Sequence, residues 1–410
     1  MKIYLVGGAV RDELLDFPVI ENDWVVVGAD PQQLIQLGYE KIGKDFPVFL
    51  HPATKEEYAL ARTERKTGRG YTGFECYAAA DVTLEDDLAR RDLTINAIAK
   101  DKNGKYIDPY GGMQDIENRI LRHVSPAFTE DPLRILRIAR FASRYAHLGF
   151  TIAKETEALM ANMVASGEVK DLVPERIWKE TKRALSQEKP RVYFEVLRSC
   201  GALAELFPEL DALFGVPQVP EHHPEIDCGL HALMALDQAC TLSKSAAVRF
   251  SALFHDLGKA VTKPDVLPHH YGHETATIPI AKALCSRLTV PNSYRDLLLI
   301  AAEYHTHCHK ALELRSKTLV KLFKKLDAFR KPQRFYDFLL VCEADARGRT
   351  GLEKRPYPQT QFLKGAFEAC REIETKPFIE QGLQGEQLGE AIQRQRISLV
   401  KQYKDDYNAH

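Results

Sequence analysis

The stretch from Gly7 to Gly28, GGAVRDELLDFPVIENDWVVVG, constrains the fold more than any other part of the chain. An apolar run, Ile3 to Val6, leads into it and reads as a strand. Gly7 and Gly8 break the run and let backbone approach a ligand closely. Ala9 to Leu15 has helical spacing, with Val10, Leu14 and Leu15 on one side and Arg11 near the start. Glu21 and Asp23 then bracket one residue and lead into Trp24-Val25-Val26-Val27, a second strand. Residues i and i+2 of a strand share a face about 7 Å apart, so this reading sets two carboxylates side by side. Like charges that close call for a cation, and a divalent metal with oxygen ligands supplies it. Glycines for phosphate, acids for metal and a nearby arginine point to phosphoryl or nucleotidyl transfer. Gly-Gly is also an ordinary turn, and two spaced acids an ordinary strand end. It is the order of all these features that favours the functional reading.

The remainder of residues 1–122 reads as α/β with short strands. Lys41 to Leu50 and Glu57 to Thr63 are expected as strands, the latter for its alternation. Lys66 to Gly73, KTGRGYTG, is glycine-rich and basic: either a lid over substrate or a plain loop. It does not match GxxxxGK[ST], which excludes a P-loop. Glu64 is a weaker candidate for a third acid. In Leu84 to Ala99, the charges Arg90-Arg91-Asp92 interrupt an apolar pattern. Asp92 caps the helical-looking run Leu93 to Ala99, or contacts a sugar hydroxyl while Arg91 contacts phosphate. Asp108 to Gly112 is a turn that closes this region.

Beyond residue 122 the pattern is helical. Glu130-Asp131-Pro132-Leu133-Arg134 opens a helix, with an acid at N-cap and proline at the first helical position. Arg134, Arg137, Arg140 and Arg144 then share one face. Such a stripe is either solvated or set against a polyanion; without interleaved acids to relieve their repulsion, the polyanion is favoured. Arg176, Lys179, Lys182 and Arg183 form a second basic patch on the all-helical stretch 151–225.

Residues 226–350 differ chemically. Ten of the chain's 14 histidines lie between His222 and His309. At the centre is Phe254-His255-Asp256-Leu257-Gly258-Lys259, an HD dipeptide ending an apolar helix that Gly258 is expected to cap. His231 lies upstream; His269, His270, His273, His305 and Asp345 lie downstream. A His, a His-Asp pair and a distant Asp form the N,O ligand set of a metal-dependent phosphohydrolase, in which bound water becomes the nucleophile. His273 and His305 are further candidates, and His307 and His309 read as surface.

With 410 residues the chain exceeds one core, so two to four domains are expected. No apolar run is long enough for a membrane span, and the start, MKIYLVGGAV, lacks a signal peptide's pattern, which predicts a cytoplasmic protein. The eight cysteines show no CxxC spacing and read as reduced, mostly buried thiols. A net charge of −1 means that any nucleic acid must meet a local basic face.

Taken together, GGAVRD, Glu21-x-Asp23, RRDLTINAI (90–98), EDPLRILRIARF (130–141) and HDLGK (255–259) resemble bacterial class II CCA-adding enzymes, the tRNA nucleotidyltransferases, in their multifunctional type with a C-terminal HD domain. The resemblance spans essentially the whole chain. It implies an α+β fold: a polymerase-β-type nucleotidyltransferase head (1–122), helical neck and body (123–225), HD phosphohydrolase (226–350) and a helical extension (351–410). It implies addition of C, C and A to tRNA from CTP and ATP without a nucleic-acid template, by a monomer or homodimer. By carry-over, Glu21 and Asp23 hold Mg²⁺, and Gly8, Arg11, Arg91, Arg137 and Arg140 contact the nucleotide. Asp131 and Arg134 read the base edge, one as acceptor and one as donor. His231, His255, Asp256 and Asp345 hold the metal of the HD tail. That tail is linked to 2′,3′-cyclic phosphodiesterase, 2′-nucleotidase and phosphatase activities, the last favoured by Ni²⁺.

The family has Asp-x-Asp where this chain has Glu21-Asn22-Asp23. Three readings follow: a transferase with an active HD tail, a hydrolase with an impaired head, and a poly(A)-adding relative. The other head motifs favour the first, and the HD tail opposes the third.

Overall fold

The computed structural model describes residues 1–42, 48–66 and 74–409. They divide into two compact units, Met1–Leu206 and Phe207–His410.

The first unit begins with a seven-stranded mixed sheet. Its strands are β1 (Lys2–Val6), β2 (Asp23–Val27), β3 (Glu40–Ile42), β4 (Val48–Leu50), β5 (Glu57–Leu60), β8 (Ala99–Lys100) and β9 (Tyr106–Ile107), in the order β3-β4-β5-β2-β1-β8-β9. A separate hairpin pairs β6 (Thr63–Lys66) with β7 (Phe74–Tyr77). β2 runs antiparallel to β1, Asp23 opposite Val6, and parallel to β5, Asp23 opposite Glu57. The apolar run of β2 is explained by burial on both faces: Val25 packs with Val6, Leu84 and Leu88, and Val26 with Leu34, Phe49 and Leu60. The sheet therefore holds its central strands rigidly, and their ends present Gly7 and Asp23.

Two local readings are corrected here, and a third is extended. Lys41 to Leu50 is not one strand: β3 and β4 are antiparallel partners, Lys41 opposite Phe49. Leu93 to Ala99 is not an α-helix: a 3₁₀ turn spans Thr94–Asn96, Leu93 is its cap, and the chain passes into β8. Asp108 does more than close a turn, since its carboxylate accepts from the Gly112 and Met113 amides and caps the helix Gly112–Asn118. Residues 67–73, which hold most of the glycine-rich basic stretch, lie outside the described residues, as does the Glu64 side chain.

Helices complete the first unit. The helix Leu133–Tyr145 packs against Pro174–Leu185 and Pro190–Ser199. Its apolar residues Ile135, Leu136, Ile138 and Ala139 are fully buried, which fixes the direction of its arginine face.

The second unit is helical. Cys228–Leu242, Ala246–Phe254, His273–Arg287, Asn292–His309 and Pro332–Arg347 carry its polar centre. An aromatic core built on Phe323, Phe335, Phe338, Phe362 and Phe367 anchors the later helices, including Gly385–Asn408. Among the described residues, no helix is long and apolar enough to cross a membrane.

Candidate functional site

In the first unit, Gly7, Gly8, Arg11, Asp23, Arg91, Asp92, Asp131, Arg134, Arg137 and Arg140 all line one cavity of about 610 Å³. Gly7 joins β1 to the helix Gly8–Leu14 at φ +69°, and a Cβ there would lie 2.5 Å from Arg91 Nη1. Glycine is thus required twice, for its backbone angle and for the close approach of Arg91. Asp23 opens β2 on the cavity wall. Asp23, like Glu21, is an exposed residue, yet partial withdrawal of its carboxyl from solvent pushes it above the usual range. The Arg91 and Arg11 charges oppose that rise, and Glu21 adds to it.

Glu21 does not sit as expected. β2 starts at Asp23, so Glu21 belongs to the irregular segment before it, and strand pleating does not align the pair. Its side chain is exposed and is not among those lining the cavity, although its charge acts on Asp23.

The arginine stripe does face the cavity, but the expectation that it lacks acidic partners fails, because other elements supply them. Arg137 Nε donates to Asp92 Oδ2 at 2.7 Å, Arg140 Nε to Glu180 Oε2 at 2.6 Å, and Arg144 Nη2 to Asp12 Oδ2 at 3.2 Å. Arg134 is buried and donates to the carbonyls of Ala127 (2.8 Å) and Arg90 (2.5 Å). The Asp131 carboxylate accepts from Arg176 Nη2 at 2.9 Å, and its carbonyl accepts from the Arg134 amide at 3.0 Å.

Asp92 does not cap a helix. Its Oδ1 accepts from the Leu93 amide and Asn96 Nδ2. Burial pushes its carboxyl up, but the Arg137 charge and the hydrogen bonds from Asn96 and Arg137 outweigh burial and hold it well below the usual range. Asp92 therefore stays ionised and tethers Arg137 at the cavity edge.

Sequence reasoning missed Arg62, Asn96 and Phe141. Asn96 Oδ1 accepts from Arg11 Nη1 at 2.5 Å, and the Phe141 ring lies under both Arg11 (5.1 Å) and Arg140 (4.4 Å). Phe141 follows Arg140 directly, and its place among four arginines was the available signal.

In the second unit, His231, His255, Asp256, His273, His305 and Asp345 converge from five segments. His255 Nε2 is 3.3 Å from Asp256 Oδ2 and 3.7 Å from Asp345 Oδ1; His231 Nε2 is 3.1 Å from Asp345 Oδ1. On the other side of Asp256, Oδ1 is 3.3 Å from His273 Nε2 and 3.5 Å from His305 Nε2. Each histidine places Nδ1 on a backbone carbonyl: His231 on Gly348 (3.0 Å), His255 on Ala252 (2.8 Å), His273 on His270 (2.7 Å) and His305 on Ala301 (3.0 Å). A carbonyl only accepts, so Nδ1 carries a proton in each, and Nε2 is the atom turned toward the cluster. His255 Nε2 and Asp256 Oδ1 are buried without a hydrogen-bond partner. Orphaned donor atoms beside two carboxylates suit a divalent transition metal with N,O ligands.

Burial works against charge on His255, but the Asp256 and Asp345 carboxylates raise it to about 10, and Asp256 likewise raises His273. Burial raises the Asp256 and Asp345 carboxyls, but the charges of His255 and Lys259 at the first, and of His309 and His255 at the second, hold both well below the usual range. Burial lowers His305 to about 3 against the pull of Asp256, so it stays neutral and ligand-competent.

Two readings fail in this unit. Gly258 is no left-handed cap: it lies in the 3₁₀ turn Leu257–Val261, and a Cβ there would overlap the His273 carbonyl. His309 is not a free surface residue: its Nε2 lies 2.6 Å from Asp345 Oδ2 and its Nδ1 2.7 Å from Tyr357 Oη. His305 and His309 are four apart on one helix and so share a face, the signal that alternation had hidden. Lys259 was likewise missed as a participant; its buried Nζ donates to Asp256 Oδ2 at 2.6 Å and Gln218 Oε1 at 2.8 Å.

Comparison with known proteins gives the family. Residues 3–122 match the model of the poly A polymerase head domain, and residues 149–214 that of a probable RNA and SrmB-binding site of polymerase A. In fold, the chain is similar to a CCA-adding enzyme in apo form II (TM-score 0.68, 19% identity, 98% of this chain and 88% of that one). It is also similar to a CCA-adding enzyme with ATP (TM-score 0.66, 20% identity, 97% and 86%). The multifunctional CCA protein of Hahella chejuensis is 61% identical over 406 residues, covering 99% of this chain and 96% of that one. That of Thioalkalivibrio sulfidiphilus is 59% identical over 407 residues, covering 99% and 100%. The chain belongs to the multifunctional CCA protein family.

Proposed function

We propose that the chain adds C, C and A to the 3′ end of tRNA, taking CTP and ATP without a nucleic-acid template. The observation that carries this reading is a single cavity that gathers Asp23, the Gly7-Gly8 turn and the arginines of two segments, 90–91 and 134–144. Its size fits a nucleotide, and its charge fits a triphosphate.

The tRNA 3′ oxygen attacks the α-phosphorus, and the bond to the pyrophosphate oxygen breaks. Arg11, Arg91, Arg137 and Arg140 hold the triphosphate and take up charge as pyrophosphate leaves. Gly8 supplies close backbone. Arg137 is aimed by Asp92 and Arg140 by Glu180, so neither has to be ordered when substrate arrives. Asp131, held by Arg176, offers acceptors to the base edge, with Arg134 as its donor counterpart. The oxygen donors of Glu21 and Asp23 fit Mg²⁺; when bound, it supplies positive charge at the reacting phosphate.

A second activity is favoured by the orphaned His255 Nε2 and Asp256 Oδ1. We read this cluster as a metal-dependent phosphohydrolase held by His231, His255, Asp256 and Asp345, with His273 and His305 adjoining. The substrate class is 2′,3′-cyclic phosphates, 2′-nucleotides and phosphomonoesters, with Ni²⁺ as one metal. A division into head (1–122), neck and body (123–225), HD region (226–350) and extension (351–410), in a cytoplasmic monomer or homodimer, belongs to the same proposal.

The test is to incubate purified protein with tRNA lacking CCA, Mg²⁺, CTP and ATP, and to sequence the 3′ ends. Complete CCA ends are expected. Runs of A would favour the poly(A)-adding reading; unextended ends with intact hydrolysis would favour a hydrolase with an impaired head.

A further inference from the structure

We propose that a second cavity, of about 570 Å³ in the second unit, is the substrate pocket of the His/Asp cluster, and that it holds a nucleotide with Arg349 orienting the phosphate. This rests on reading the cluster as a phosphoesterase centre.

The pocket's lining carries Lys310, Arg347, Arg349 and Arg355, and no carboxylate is among its described lining residues. Glu343 offsets Arg347 and Asp345 partly offsets Arg349, which leaves the lining with a surplus of positive charge suited to an anion. Arg347 is anchored from behind, its Nη2 2.8 Å from Glu343 Oε1. Arg349 is only partly engaged. Its Nη1 donates to the His222 carbonyl at 3.2 Å, while its Nε is buried with no hydrogen-bond partner. Arg347 Nε is unpartnered in the same way, but Arg349 is the lining arginine that also reaches Asp345, and its guanidinium is suited to a forked contact with phosphate.

The pocket also touches the cluster. Arg349 Nη2 is 3.6 Å from Asp345 Oδ1, and His309, another lining residue, has Nε2 2.6 Å from Asp345 Oδ2. A phosphate on Arg349 therefore lies next to the ligand set that would hold a metal, where such an ion would supply activation of water for hydrolysis. The Tyr357 ring with Pro356 and Pro358 gives the pocket an apolar surface for a base or ribose. Volume and chemistry together indicate a nucleotide, larger than free phosphate.

The test uses the full chain loaded with Ni²⁺, as wild type, Arg349→Ala, Arg349→Lys and Arg355→Ala. The readouts are kcat and KM for 2′,3′-cyclic AMP, calorimetric affinity for 2′-AMP and for inorganic phosphate, nickel per chain, and CCA addition. For Arg349→Ala we expect KM to rise and 2′-AMP affinity to fall by about tenfold or more, with nickel and CCA addition retained. Arg349→Lys recovers part of the loss, and the exposed Arg355→Ala shows about a threefold effect, as befits a screened charge. Unchanged KM and affinity with nickel retained would overturn the proposal. Loss of nickel in Arg349→Ala would make Arg349 a support of the cluster and overturn its assigned role. Equal affinity for phosphate and 2′-AMP would overturn the nucleotide assignment. If wild type hydrolyses no phosphoester, the phosphoesterase reading fails separately. The pocket is then judged by binding alone: 2′-AMP held by wild type and released by Arg349→Ala sustains it, and no binding refutes it.

Discussion

Asp131, in the extended link before the helix Leu133–Tyr145, forms an ion pair at 2.9 Å with Arg176 of the helix Pro174–Leu185, and both line the cavity. Arg176→Ala is expected to free the Asp131 carboxylate and blur the choice between CTP and ATP by roughly tenfold to a hundredfold, the scale of one charged hydrogen bond at about 1.5–3 kcal/mol. Single-turnover misincorporation measures it. Unchanged selectivity would mean that Asp131 is fixed by its own bond to the Leu133 amide.

Arg134→Ala should act differently. Its guanidinium is buried on two backbone carbonyls, so its removal leaves the Ala127 and Arg90 carbonyls without that donor. We expect a stability loss of about 2 kcal/mol or more in urea unfolding, together with slower use of both nucleotides. Slower addition with full stability would make Arg134 purely a base reader.

Asp23→Ala should lower nucleotide addition by about a thousandfold, the effect of losing a metal ligand at the reacting phosphate, while hydrolysis of 2′,3′-cyclic nucleotides persists. His255→Ala should do the reverse. Were either variant to lose both activities while remaining folded, the two chemistries would not be separable.

What was legible in the sequence, and what was not, follows from range. The strand before Gly7, the helix after it and the Val25-Val26 strand depend on local spacing and appear where expected. So does the arginine face of Leu133–Tyr145, because burial of Ile135, Ile138, Ala139 and Ala142 at helical spacing is a local signal. Partners distant in sequence were invisible: Glu180 for Arg140, Arg176 for Asp131, Asp345 for His309. Leu93 to Ala99 misled because Thr94 bonds across the chain, its amide to the Arg122 carbonyl and its hydroxyl to Asp115, and tertiary hydrogen bonds override a weak helical preference.

Gly258→Ala tests the packing behind the second site. A methyl group there would overlap the His273 carbonyl and crowd the Thr277 side chain, pushing away the helix that presents His273. Overpacking of this kind costs about 1–3 kcal/mol, and the shift should reduce metal affinity and hydrolysis together. CCA addition should persist. A variant with unchanged melting temperature and metal content would show that the helix yields freely.

Glu21→Asp addresses the residue that departs from the family pattern. Glu21 precedes β2, is exposed and does not line the cavity, yet its charge acts on Asp23. Reaching a metal shared with Asp23 requires its longer arm to be ordered, with one more rotatable bond than aspartate and oxygens roughly 1 Å further out when extended. Mg²⁺ demands near-octahedral geometry at short distance, and Mn²⁺ accepts displaced ligands more readily. We therefore expect Glu21→Asp to add CMP and AMP as fast as wild type or faster in Mg²⁺, with Mn²⁺ narrowing any gap. Single-turnover rates in both metals decide the matter. A clearly slower Glu21→Asp in Mg²⁺ would mean that the segment before β2 places its backbone at the distance glutamate spans, making Glu21 an adapted ligand and not a geometric handicap.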